Sequence, residues 1–111
     1  MSSIQSPVSD MLLTVKSREV QRGMTAAMSG QTSNARNHFL AAGHLELVLA
    51  NDYEQAGDAE LGRRSRISAA SCFWRAGDIN EAQAIFDDLT QAEPQRAVEI
   101  QEVIDDLRAG A

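Results

Sequence analysis

The sequence predicts an all-α fold of about five helices, and three observations carry that prediction. Apolar residues recur at the three-and-four spacing of a helix face through most of the 111 residues. Glycines at positions 30, 57, 77 and 110 fall where those faces stop. Nowhere does the two-residue alternation of a strand appear. A chain of this length builds one core of stacked helices rather than two. Residues 1–7 are accordingly expected to be a flexible N-terminal arm, and 8–111 a single domain of antiparallel helical hairpins.

The first helix is expected after Pro7, capped by Ser9 or Asp10, with Leu13, Val20, Met24, Ala27 and Met28 on its buried side and Gly30 at its end. A second has Ala35, Phe39, Ala42, Leu45, Leu49, Tyr53 and Ala56 in phase, Ser33 or Asn34 as cap and Gly57 beyond its last turn. The stripe keeps its phase past Gly43, so one long helix that tolerates a glycine costing ~1 kcal/mol is preferred to a break there. Two Ala-Gly-Asp tripeptides, at 56–58 and 76–78, then set a left-handed-tolerant glycine before a carboxylate able to cap the next helix. They predict helices over 58–75 and 79–90, and Glu81, three residues after Asp78, strengthens the second. Leu61, Ala69, Ala70, Cys72, Phe73 and Trp74 supply apolar surface to one, and Ile79, Ala82, Ile85, Phe86 and Leu89 to the other. Pro94 suits the first turn of a last helix whose stripe is Ala97, Ile100, Val103, Ile104 and Leu107.

Composition narrows the function. Apolar residues make up 43% and charged residues 23%, ordinary globular values. The net charge of −6 is polarised: residues 1–36 hold four basic and two acidic groups, whereas 78–111 hold two basic and nine acidic. An acidic tail repels phosphate backbones, so nucleic acid is not an expected partner. A single cysteine excludes an internal disulfide and fits a reducing cytoplasm. No apolar run nears the ~20 residues that span a bilayer, and the first ten residues lack the order of a signal peptide. No membrane contact is therefore expected.

A period of 34 residues links Ala35, Phe39, Ala42, Gly43 and Ala50 to Ala69, Phe73, Ala76, Gly77 and Ala84. Within it Ala70, Phe73, Gly77, Ala82, Phe86 and Pro94 stand at gaps of three, four, five, four and eight. That series resembles the tetratricopeptide repeat over about one repeat. It departs from the family at Arg66 and Ala69, where large apolar residues are usual, and at Leu89, where a small one is. The resemblance implies short helical hairpins stacked into a solenoid or bundle, and a groove lined by the outward side of each first helix. Arg64, Ile67, Ser71, Trp74 and Arg75 match those groove positions, and guanidinium forks beside an indole would suit an acidic or aromatic peptide. For Trp74 the core and the groove stand as equal alternatives.

The other chemical groups read as structural. Arg63, Arg64 and Arg66 form the densest basic cluster, more simply a solvated face, with Asp58 and Glu60 nearby and a carboxylate-rich tail able to fold back onto it, than an anion site. His38 and His44, six apart, do not share a helix face as zinc-binding pairs do. Asp52, Glu54, Gly57, Asp58 and Glu60 resemble a calcium loop only until Arg63, which stands where a bidentate glutamate is needed. Cys72 lies among Ala69, Ala70 and Phe73, as a small core thiol of raised pKa. Asp87-Asp88 and Asp105-Asp106 point to different sides of their helices. No cofactor, metal or catalytic set is expected. Met11, Leu12, Leu13, Val15, Val20, Met24 and Met28 give the first helix more apolar surface than one stripe needs, a second candidate for partner binding. The expected function is a non-enzymatic module that binds a protein or peptide through the groove or the first helix. The alternative is a homo-oligomer built through that helix.

Overall fold

In a computed structural model, which describes residues 7–110, the chain is all-α. It has five α-helices, α1 Pro7–Met28, α2 Thr32–Gln55, α3 Ala59–Arg75, α4 Ile79–Ala92 and α5 Ala97–Arg108, with a 3-10 turn at Pro94–Arg96. No strand occurs among the described residues. Residues 1–6 of the expected arm lie outside them, and Pro7 already begins α1. Each helix packs on the next, with α5 touching both α3 and α4, in an array 45 × 34 × 18 Å. The short dimension is about two helix diameters.

The turns explain the order. At Gly30, Gly57 and Gly77, all at φ of 76–86°, the glycine N–H donates to the carbonyl three residues back and the following residue donates five back, as Gly77 to Trp74 and Asp78 to Phe73, both at 2.9 Å. After Gly57 and Gly77 that following residue is an aspartate, and its carboxylate then accepts from the next helix: Asp58 Oδ1 from the Leu61 N–H at 3.0 Å, Asp78 Oδ1 from Glu81 at 3.4 Å. One residue closes one helix and opens the next. The caps expected further upstream are different. Asp10 lies inside α1, where its carbonyl accepts from Thr14, and Ser9 is buried in the first turns. Ser33 and Asn34 lie inside α2, and Gln31 precedes that helix without a side-chain cap.

α2 runs unbroken through Gly43, and the reason is tertiary. A Cβ built there would stand 3.0 Å from Cε1 and Cζ of Phe73, so the ring of α3 lies directly on the α2 backbone. His44 meets the same ring edge-on, with centroids 5.0 Å apart at 76°. Gly23 of α1 receives the ring of Phe39 from α2 at the same 3.0 Å. Beyond these seams, Ala69, Ala70, Phe73, Ala82, Phe86, Ile100, Ile104 and Leu107 form the main core of α3, α4 and α5.

The stripe of α1 is displaced from its expected phase. Ser9, Gly23 and Ala26 are buried, Leu13 and Val20 are half-buried, and Met24, Ala27 and Met28 face outward. Of the stripe expected for α2, Ala56 lies just past the helix and is exposed and Leu45 is only half-buried, whereas Glu46 is buried. Ile79 of α4 is exposed as well.

Gly43→Ala is expected to lose up to about 2 kcal/mol in urea unfolding, because crowding of ~1–3 kcal/mol against the Phe73 ring offsets or outweighs the ~1 kcal/mol gained in helix propensity. Adding Phe73→Leu to it should cost less than the sum of the two single changes, as the ring is what the methyl meets.

Candidate functional site

Because α1, α2 and α3 alternate in direction, α1 and α3 end on the same side of the molecule, and α5 ends beside them. There a groove of about 460 Å³ is lined by Met24 and Met28 of α1, Phe39 of α2, Trp74 and Arg75 of α3 and Leu107 of α5. Phe39 is its floor, buried by the Gly23 seam. Trp74 packs one side on the main core and turns the other to the groove. Met28 is 87% exposed and Met24 45%, so their side chains stand in water. Arg75 is exposed and makes no ion pair among the described residues. The site therefore offers adaptable apolar walls, an indole and one uncommitted cation.

The five residues matched to the groove by sequence separate in the structure. Trp74 and Arg75 line it; Arg64 is exposed elsewhere on α3, Ile67 is half-buried against the main core, and the Ser71 hydroxyl donates to the Ile67 carbonyl at 3.0 Å. In place of those three come Met24 and Met28, from the helix singled out for its surplus of apolar residues. Phe39 and Leu107 had been assigned to the core alone. Their second role follows from where three helix ends meet, which no local pattern records.

The arginine cluster is not a solvated face. Arg63 is 7% exposed and paired with Glu99 of α5 and, at 2.6 Å, with Glu60, while Glu93 lies 3.9 Å from its Nε. Arg96 joins the same carboxylates at 3.5–3.7 Å. Arg66 holds Glu54 through two bonds of 2.6 and 2.7 Å, which keep that carboxyl below its ordinary pKa. Of the three, Arg64 alone makes no ion pair among the described residues. The acidic segment thus folds back onto the arginines and ties α5 to α3.

Other titratable groups are tied into helix seams. His38 Nδ1 lies 3.0 Å from Glu19 Oε1, a bond that lowers the glutamate pKa. Cys72 is buried, and burial pushes its thiol to about 11. Glu46, which sequence reasoning missed, is 5% exposed on α2 and lies 3.4 Å from Lys16 Nζ of α1. Burial raises its pKa against the opposing pull of Lys16. It does not line the groove.

A raised carboxyl binds its proton more tightly in the fold than in the unfolded chain. Glu46 therefore contributes most below its ordinary value of 4.5 and progressively less as pH climbs through its folded value. Glu46→Gln removes that titration, so the stability of the native chain minus that of the variant should decline between acid and neutral pH in urea unfolding. A difference that does not change, or that grows, would contradict the assignment. Among known proteins, no family model matches this chain, and no curated protein or solved structure is significantly similar to it.

Proposed function

We propose that this chain is a non-enzymatic protein-interaction module of tetratricopeptide-like helical hairpins, which takes a polypeptide partner in the groove between α1, α3 and α5. One observation carries the reading: Met24 and Met28 stand exposed around the same opening as Trp74 and Arg75. Water-facing methionines beside an indole form an apolar patch of the kind that marks interaction sites, and tryptophan and arginine are the usual anchors of such patches. The six positions of the repeat resemblance support the hairpin reading. Ala70, Phe73, Ala82 and Phe86 are each at most 1% exposed, Gly77 takes φ 86°, and Pro94 opens the 3-10 turn. A binding role also suits the groove's chemistry, since none of the side chains named at it is a nucleophile or a general base at neutral pH.

In pull-downs from the native cell, Met28→Gln and Arg75→Ala should each weaken capture of the partner at least ~10-fold, and Trp74→Ala more, as anchors of this kind contribute 2 kcal/mol or more. Arg64→Ala, outside the groove, should leave capture unchanged. Met28 and Arg75 are exposed, so their variants should keep the unfolding midpoint of the native chain. Undiminished capture by both would remove the groove from the reading.

A second reading has its own support. Of the eight exposed large apolar residues among the described ones, five lie on α1: Val8, Met11, Val15, Met24 and Met28. On this reading identical chains associate through α1. Light scattering across a wide concentration range should then show a rising mass, whereas a strict monomer at millimolar concentration would eliminate it.

A further inference from the structure

Two outward helix faces are left after the groove is accounted for, and they complement each other. On α1, Val8, Met11, Val15, Arg18 and Arg22 follow one another at three, four, three and four residues, so they form one stripe. Val8 is 57% and Met11 59% exposed, Val15 37%, and both arginines are exposed. This stripe lies beside the line along which α1 meets α2. α3 is enclosed by α2 on one flank and by α4 and α5 on the other, whereas α1 has only α2 as its main neighbour. On α5, Val98, Glu102 and Asp105 each precede a core residue, Ile100, Ile104 or Leu107, by two positions. Two positions are ~200° of helical turn, so this trio faces directly away from the core. Val98 is 70% exposed, and both acids are exposed too.

The two stripes agree in length and sign. Val15 and Arg22, the ends of one trio, are seven positions apart, and so are Val98 and Asp105, the ends of the other. Each runs from an apolar residue into two charges, basic on α1 and acidic on α5. We propose that copies of this chain join head to tail, with the outer flank of α1 in one copy seated on the outer face of α5 in the next. Aligned in parallel, Val15 meets Val98, Arg18 meets Glu102 and Arg22 meets Asp105, with Met11 and Val8 covering the rest of the seam. The inference rests on the self-association reading above and specifies its geometry. It takes that geometry from the charge polarity of the chain, basic at one end of the array and acidic at the other. A contact between two different patches does not close on itself, so the product is an open series rather than a fixed dimer.

Neither Arg22, which shares Glu19 at 3.3 Å, nor Asp105, which accepts from Gln101 at 3.0 Å, is enclosed by its partner, so both remain available to a neighbour. Asp106, next to Asp105, adds to the acidic field.

Sedimentation velocity of the full chain tests this with two exposed-site variants whose folding is checked by circular dichroism. The native chain should sediment faster as concentration rises, without a plateau at dimer, and added salt should reduce the effect. Arg18→Glu/Arg22→Glu should be monomeric alone, and so should Glu102→Lys/Asp105→Lys, with association weakened at least ~10-fold in each. An equimolar mixture of the two should recover open-ended association, because the unchanged α1 flank of one variant meets the unchanged α5 face of the other while the two charge-reversed faces are in turn complementary. A native dimer that survives Glu102→Lys/Asp105→Lys would overturn the head-to-tail arrangement while leaving symmetric pairing through α1 in place. A mixture that stays monomeric while the native chain associates would also overturn it. A monomeric native chain would overturn this arrangement and the self-association reading together.

Discussion

An aromatic ring laid on a glycine backbone sets the spacing of the first three helices. Phe39 of α2 covers Gly23 of α1, and Phe73 of α3 covers Gly43 of α2, each with its ring where a side chain would have to stand. The glycine in mid-helix is unfavourable for α2 taken alone. Its return is room for a buried ring, which comes within 3.0 Å of where a Cβ would stand, and such close packing is what offsets the propensity lost. The same device, a phenylalanine of one helix over a glycine of the preceding one, serves both seams. Because the Phe39 ring is held in this way, it can also serve as the groove floor.

Polar groups inside the seams fix how the helices slide along one another. A ring over a glycine tolerates small shifts, whereas a buried charge does not. The Lys16–Glu46 pair, at 3.4 Å, fixes α1 on α2. Arg63 fixes the C-terminal part through Glu60, Glu93 and Glu99, and its Nε carries no hydrogen bond of its own. Enclosing a guanidinium is costly in itself, so such a cluster contributes less to total stability than its number of contacts suggests. Its partners are half in water, which eases that cost. What the cluster does supply is placement: through Glu93 and Glu99 it joins α3 to the segment that carries the three buried apolar residues of α5.

How far the sequence could be read depends on the range of the interaction concerned. The Ala-Gly-Asp turns were legible because each is a local device: a glycine at positive φ and an aspartate that caps. The phase of α1 was not. Val8, Met11, Val15, Met24 and Met28 point to water, and the fully buried positions of the seam are Ser9, Gly23 and Ala26, with Val20 only partly covered, so a rule that buries big hydrophobes selects the wrong side. In α2 a clue was present. Ala35, Phe39, Ala42, Leu49 and Tyr53 leave one vacancy in a three-and-four rhythm, and Glu46 fills it. Reading Leu45 in its place preferred residue type to phase. Arg63 is a similar case: three arginines in four residues look alike in sequence, and only the returning acidic segment decides which one is enclosed. The groove was half legible, through Trp74, Arg75 and the surplus methionines. Its assembly depends on three helix ends meeting.

The displaced phase of α1 also bears on what the molecule can hold at one time. Nine residues separate Val15 from Met24, a turn of ~180° beyond whole revolutions, so the two apolar groups of α1 lie on opposite flanks of its contact with α2. Met24 and Met28 look into the groove, while Val8, Met11 and Val15 look away from it. An occupant of one flank therefore leaves the other uncovered. Partner capture and chain-to-chain contact are in this way compatible on a single helix, and α1 can expose so much apolar surface because its own seam is built from glycine, alanine, serine and an ion pair rather than from those residues.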